Sequence, residues 1–127
     1  MLSIMSRKGR GKEGGWIQLL VLRVIFEHPI HGYALNKKVN KLLAGRRPLG
    51  QGSIYTILRR MEGAGLLDSK WDDDPSRLNR RVYHLTESGV ERLKEGYHRV
   101  ENQKRIMEEM SSFYEAFFPE LLTSDKD

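Results

Sequence analysis

The run Trp16–Phe26 reads WIQLLVLRVIF, with only Gln18 and Arg23 polar among eleven residues. A segment this apolar must be buried, and its burial dictates what the rest of the chain has to do. It is too short for a bilayer, which needs about 20 apolar residues, so its covering must come from protein. Its period alone would also suit a buried strand. Its length and the Glu27-His28-Pro29 ending predict instead a helix from near Gly15 to just before Pro29. That helix is expected at the centre of a core, apolar on almost every side.

The covering elements follow in order. His31-Gly32-Tyr33 opens a second helix, in which Leu35, Val39 and Leu42 form the inner stripe. Asn36, Lys37, Lys38, Asn40 and Lys41 are expected to face out. Gly45–Gly52 is a turn region with Pro48 and the basic pair Arg46 and Arg47. The stretch Gln51–Leu67 then places Ile54, Ile57, Leu58 and Met61 at i, i+3, i+4 and i+7, the inner face of a third helix. Gly52 and Ser53 stand where its start needs a turn and a cap, and Gly63 and Gly65 where it must stop. Its outer face presents Ser53, Tyr55, Thr56, Arg59 and Arg60. Beyond it, Leu66–Trp71 and Arg81–Thr86 read as two strands of a hairpin around the polar loop Asp72–Arg80. Three helices, a glycine-rich connection and a hairpin are the parts of a winged helix-turn-helix. The fold class expected is mainly α with a small β-hairpin and a long C-terminal helix.

Charge is distributed unevenly. Met1–Arg60 holds 12 Lys and Arg against two acids, a net of +10, while Met61–Asp127 has a net of −5. One face is therefore built for a polyanion. Residues 1–14 space Arg7, Lys8, Arg10 and Lys12 with glycines and are expected as a flexible basic arm, either reaching into a groove or merely solubilising. With no cysteine in the chain, disulfides and thiol chemistry are excluded. Asp72, Asp73 and Asp74 lack the alternating spacing and glycine of a Ca²⁺ loop and read as turn residues. No catalytic set, phosphate loop or cofactor motif is present, so no enzyme and no cofactor are expected. The lack of a signal segment and of a membrane-length run points to a cytoplasmic protein without membrane contact.

From Thr86, a good N-cap, a 3–4 spacing runs through Val90, Leu93, Tyr97, Val100, Lys104, Met107, Ser111, Tyr114, Phe118 and Leu121. Eight of these ten are apolar or aromatic, which makes a coiled-coil-like seam. A helix of about 30 residues reaches about 45 Å and wants a partner, most simply a second copy. Folding back on the first helix is the alternative; separately, a break near Ser111-Ser112 would let the distal aromatic piece pack on its own. The domain plan is thus arm 1–14, DNA-binding domain 15–86, dimerisation helix 87–122 and a disordered tail 123–127. The dimer contacts expected are Val90, Leu93, Tyr97, Val100, Met107, Met110, Tyr114 and Phe117.

These residues resemble the PadR family of winged-helix transcriptional regulators, in its short subgroup with one C-terminal dimerisation helix. The likeness lies in His31-Gly32-Tyr33, in Gly52-Ser53-Ile54-Tyr55 with Leu58, Met61-Glu62 and Gly65-Leu66-Leu67, and in Arg81–Gly89 with Leu93. It implies a homodimer on an inverted-repeat operator of double-stranded DNA, usually repressing transcription, with release by a small effector left open. Many members have proline where this chain has Thr56, leaving a further hydroxyl for DNA. The tryptophan with which some relatives sandwich flat drugs in the dimerisation helix is missing, so no drug-sensing role carries over.

Ser53, Tyr55 and Thr56 are expected near phosphates and base edges. Arg59 and Arg60 suit deeper contacts, because a guanidinium pairs with guanine through two bonds. Arg77, Arg80 and Arg81 belong to the wing, and Lys37 and Lys38 position the backbone. Tyr83 and Trp71 are expected to pack in the wing and core. The competing reading is a winged-helix interaction module that does not bind DNA. RNA binding fits the charge but lacks the paired aromatic platform of single-strand readers.

Overall fold

The computed structural model describes residues 2–43, 46–74 and 80–124, with side chains from residue 15 to residue 123 within those ranges. Its elements are α1 (Leu2–Glu27), β1 (Ile30–His31), α2 (Gly32–Leu42), α3 (Gln51–Gly63), β2 (Leu67–Trp71), β3 (Arg81–Leu85), α4 (Glu87–Phe117) and α5 (Glu120–Ser124). The chain divides into two units, Met1–Lys94 and Glu95–Asp127.

In the first unit α1 supplies Val21, Leu22, Val24 and Ile25, all at most 3% exposed. Burial here is one-sided, contrary to expectation: Arg23 faces out and Phe26 is 58% exposed. The helical backbone also begins at Leu2, where the sequence predicts an arm and a start near Gly15. Extending an anchored helix adds one hydrogen bond per residue and avoids the costly nucleus. Leu35 and Val39 of α2 are fully buried, but the third stripe position falls to Leu43, while Leu42 is exposed. Asn36 and Asn40, expected to face out, hold the turn into α3. The Asn40 side chain accepts from Leu49 N at 2.7 Å and donates to Leu49 O at 3.0 Å. Asn36 donates to the same carbonyl at 3.2 Å. Those bonds satisfy backbone groups that a turn would otherwise leave open.

Ile54, Leu58 and Met61 of α3 are fully buried, as their spacing predicts. The helix starts two residues ahead of Ser53, at Gln51, with Gly50 as a cap lacking any side-chain bond. Its end is a Schellman motif, with Leu66 N bonding Met61 O at 2.9 Å and Gly65 N bonding Glu62 O at 3.0 Å. Gly65 makes this possible at φ 82°, a region L side chains avoid.

The sheet has three strands, not two, in the order β1-β3-β2, all antiparallel. Ile30 pairs with Tyr83 and His31 with Val82, while Leu67 opposes Leu85 and Trp71 opposes Arg81. The two-residue β1 thereby ties the end of α1 to the hairpin.

Thr86 caps α4 as predicted, its hydroxyl accepting from Gly89 N at 3.0 Å and donating to Gly65 O at 2.6 Å. A side chain at Gly89 would run into the Leu66 carbonyl oxygen. Leu93, expected in the dimer seam, packs against the core of its own unit, and Val90 is half-buried.

The second unit is one helix end and one short helix. α4 continues through Ser111 and Ser112, without a break there, and stops at Phe117. Phe118 precedes Pro119, whose ring disfavours helical geometry in the residue before it. The expected single helix to residue 122 is therefore two, and α5 takes in 123–124; residues 125–127 lie outside the described ones. Phe113 contacts Phe117 and Phe118 with ring centroids 5.1 and 6.0 Å apart. Among the described residues, no helix is long and apolar enough to cross a membrane.

Candidate nucleic-acid interface

On a helix, residues four apart share a row. Tyr55 and Arg59 make one row of α3, and Thr56 and Arg60 the next. The Tyr55–Arg59 row borders an open cleft of about 720 Å³ whose opposite side is the wing, with Trp71, Arg80 and Arg81. Tyr83, Gly32, Tyr33 and Gln51 also line it. Tyr55 lies directly against Gly32: a Cβ there would sit 2.6 Å from its ring.

The wing is held from below. His31 Nε2 and Asp72 Oδ2 are 2.6 Å apart, with side chains 17% and 14% exposed. Asp72 N also bonds Arg80 O at 2.8 Å, carrying the β2–β3 pairing one step past Trp71 and Arg81. Asp74 N bonds Asp72 Oδ1 at 3.0 Å in an Asx turn. The first aspartate of the triplet thus anchors the wing to β1, with His31 as its partner. Among the described residues no group of three His, Cys, Asp or Glu is placed to hold a metal.

Arg81 is engaged within the protein. Its Nη1 donates to Ser69 Oγ at 2.7 Å, which donates to Glu62 Oε2 at 2.7 Å. Its guanidinium carbon lies 4.7 Å from the centroid of the Trp71 ring, a cation–π distance. Arg80 is exposed and has no ion-pair partner among the described residues. Burial raises the Tyr83 phenol above the usual value near 10, and the Glu62 carboxylate adds to the shift.

The structure thus gathers Tyr55, Arg59, Arg80 and Arg81 around one cleft. Ser53, Thr56 and Arg60 do not line it, nor do Lys37 and Lys38 of α2, which are exposed. Lys37 Nζ sits 4.9 Å from the Tyr33 ring centroid. The Thr56 hydroxyl, expected to be available, donates to Gly52 O at 3.0 Å. Arg77 lies outside the described residues. Tyr83 is buried as expected, but Trp71 is 58% exposed and belongs to no core. His31, Tyr33, Gln51 and Glu62 also line the cleft; the sequence marks them as parts of helix-forming and family motifs, but not as site residues. The i,i+4 spacing of Tyr55 and Arg59 is the signal that points to this row, but nothing local shows which wing residues meet it. Of the expected dimer contacts, Tyr97, Val100, Met107, Met110, Tyr114 and Phe117 are 44–68% exposed.

The model of the PadR-like family of transcriptional regulators matches residues 21–95, and the chain belongs to that family. It is a family of regulators, not of enzymes. A PadR-like transcriptional regulator of Bacillus cereus is 26% identical, covering 80% of this chain and 95% of its own, with a TM-score of 0.67. A PadR family transcriptional regulator of Eggerthella lenta is 32% identical, covering 87% of this chain and 90% of its own, with a TM-score of 0.56. An uncharacterized 37.1 kDa protein in transposon TN4556 of Streptomyces fradiae is 31% identical over 109 residues. The chain spans 30% of that protein's length.

Proposed function

We propose that this regulator represses transcription as a homodimer seated on an inverted-repeat operator, working in the cytoplasm. The observation that carries the reading is the convergence of Arg59 from α3 with Arg80 and Arg81 from the wing on one open cleft. Cations from two elements facing one gap suit a phosphate backbone passing between them. Arg60, one position further round α3, is the better candidate for a base edge. Tyr55 and Ser53 would meet the backbone near the helix start, and Lys37, Lys38 and Arg77 would add positioning charge. Two copies joined through the exposed apolar residues of α4 would present two α3 helices to successive major grooves about 34 Å apart. Release by a small effector would follow from any ligand that competes for the same face.

The test is a footprint on DNA upstream of the protein's own gene, with binding followed over a salt series. A protected palindrome and a log–log salt slope of several units are expected. Replacing Arg59 and Arg60 with alanine should weaken operator binding about 10- to 100-fold while sedimentation still gives the dimer. Unchanged affinity would remove these two residues from the interface. No protection at any salt concentration would favour an interaction module that has kept the fold without DNA binding.

A further inference from the structure

The cleft between α3 and the wing carries more chemistry than a phosphate backbone uses. Trp71, Tyr33 and Tyr55, all more than a third exposed, offer aromatic surface on it. Arg59, Arg80 and Arg81 outnumber Glu62, the carboxylate on its wall, by two charges. The Gln51 side-chain oxygen is buried and has no hydrogen-bond partner among the described residues. A buried amide oxygen in that state calls for a donor. The walls are already set by internal contacts: Tyr55 rests on Gly32, and Ser69 and Glu62 hold Arg81 over Trp71. At about 720 Å³, the space lies within the range of about 300–1,000 Å³ typical of small-ligand sites.

We propose that this cleft seats a nucleoside monophosphate. The base stacks against the Trp71–Arg81 wall, and the phosphate dianion meets Arg59 and Arg80. With the Gln51 side chain turned toward the cleft, its Oε1 accepts from a ring N–H or ribose O–H. A doubly charged phosphate matches the charge excess, and a flat ring matches the aromatic surface. An anion without a ring leaves that surface wet, and an uncharged nucleoside leaves the guanidiniums unmatched. Binding of the nucleotide excludes operator DNA from Arg59, a clause that rests on the function proposed above.

The experiment is calorimetric titration of the full chain with AMP, and separately with adenosine and inorganic phosphate. AMP should bind once per chain with a dissociation constant on the order of 10–100 μM, reasonable for a ligand of its size. Adenosine and phosphate should each bind at least about tenfold more weakly. Arg80→Gln and Trp71→Leu should each weaken AMP by about tenfold, with unchanged circular dichroism. No AMP binding at concentrations on the order of 5 mM overturns the proposal. So does phosphate binding as tightly as AMP, or full affinity in both variants. AMP should also displace a bound operator, and a ternary complex would overturn the exclusion. A chain that binds AMP but no operator keeps this seat and loses the function above; one that binds operator but no AMP does the reverse.

Discussion

The unit Met1–Lys94 and the unit Glu95–Asp127 use apolar residues in opposite ways. In the first, Leu22, Leu35, Ile54 and Leu58 are fully buried, and helices and strands share one core. In the second, Ile106, Met107, Met110, Phe113 and Phe117 are 44–68% exposed on helical backbone. A helix cannot bury an apolar stripe against itself, and a single isolated helix owes little of its stability to packing. The first unit therefore carries its own stability, whereas the second has apolar surface to share.

That contrast can be tested with one kind of substitution made in both units. Leu58→Ala empties a fully buried site and should cost about 2–5 kcal/mol, read as a lower urea midpoint with the slope unchanged. A loss below about 1 kcal/mol would mean that the core collapses around the gap. Thr86→Ala removes the α4 cap and its bond to Gly65 O, for an expected cost of about 0.5–2 kcal/mol. Melting temperatures at equal protein concentration would show it.

The Tyr83 phenol supplies a pH handle on the same core. Its native pKa is raised by burial first and by Glu62 second. Its contribution is therefore fully present below the unfolded pKa, near 10, and is lost as pH rises through the higher native value. Tyr83→Phe should lose that alkaline step while remaining folded at neutral pH; a variant with the parent's alkaline profile would assign the step elsewhere. The smallest effect on folding is expected from Met110→Ala with Phe117→Ser in the second unit. The far-ultraviolet spectrum should stay within a few per cent of the parent, since exposed substitutions rarely move stability by more than about 0.5 kcal/mol. Sedimentation of this variant as monomer where the parent is dimeric would assign the exposed stripe to self-association. A variant that still dimerises would move the interface off this stripe.

Legibility followed the range of the forces involved. The burial of Ile54, Leu58 and Met61 was readable because a helical period writes itself into adjacent residues. The Thr86 cap was equally local. β1 was not readable: two residues carry no period, and its pairing partner Tyr83 lies more than fifty positions away. His31 and Asp72 meet across 41 positions, and no local pattern marks such a bond. Asn36 and Asn40 look like solvent-facing positions until the turn they hold is in place. In the candidate site, the row Tyr55–Arg59 was legible as spacing. That Arg81 would be occupied by Ser69 and Glu62, or that the Thr56 hydroxyl would turn back to Gly52, depended on geometry that spacing alone does not contain.

The contact between Gly32 and Tyr55 joins two motifs that look independent in the chain. With no room for a Cβ beneath the ring, position 32 can gain a side chain only if the aromatic at 55 shrinks or swings away. The two positions should therefore change together over evolution. A double exchange, alanine at 32 with a small residue at 55, should be tolerated better than alanine at 32 alone. A change at position 32 would then move the aromatic row of α3 without altering any residue of that helix.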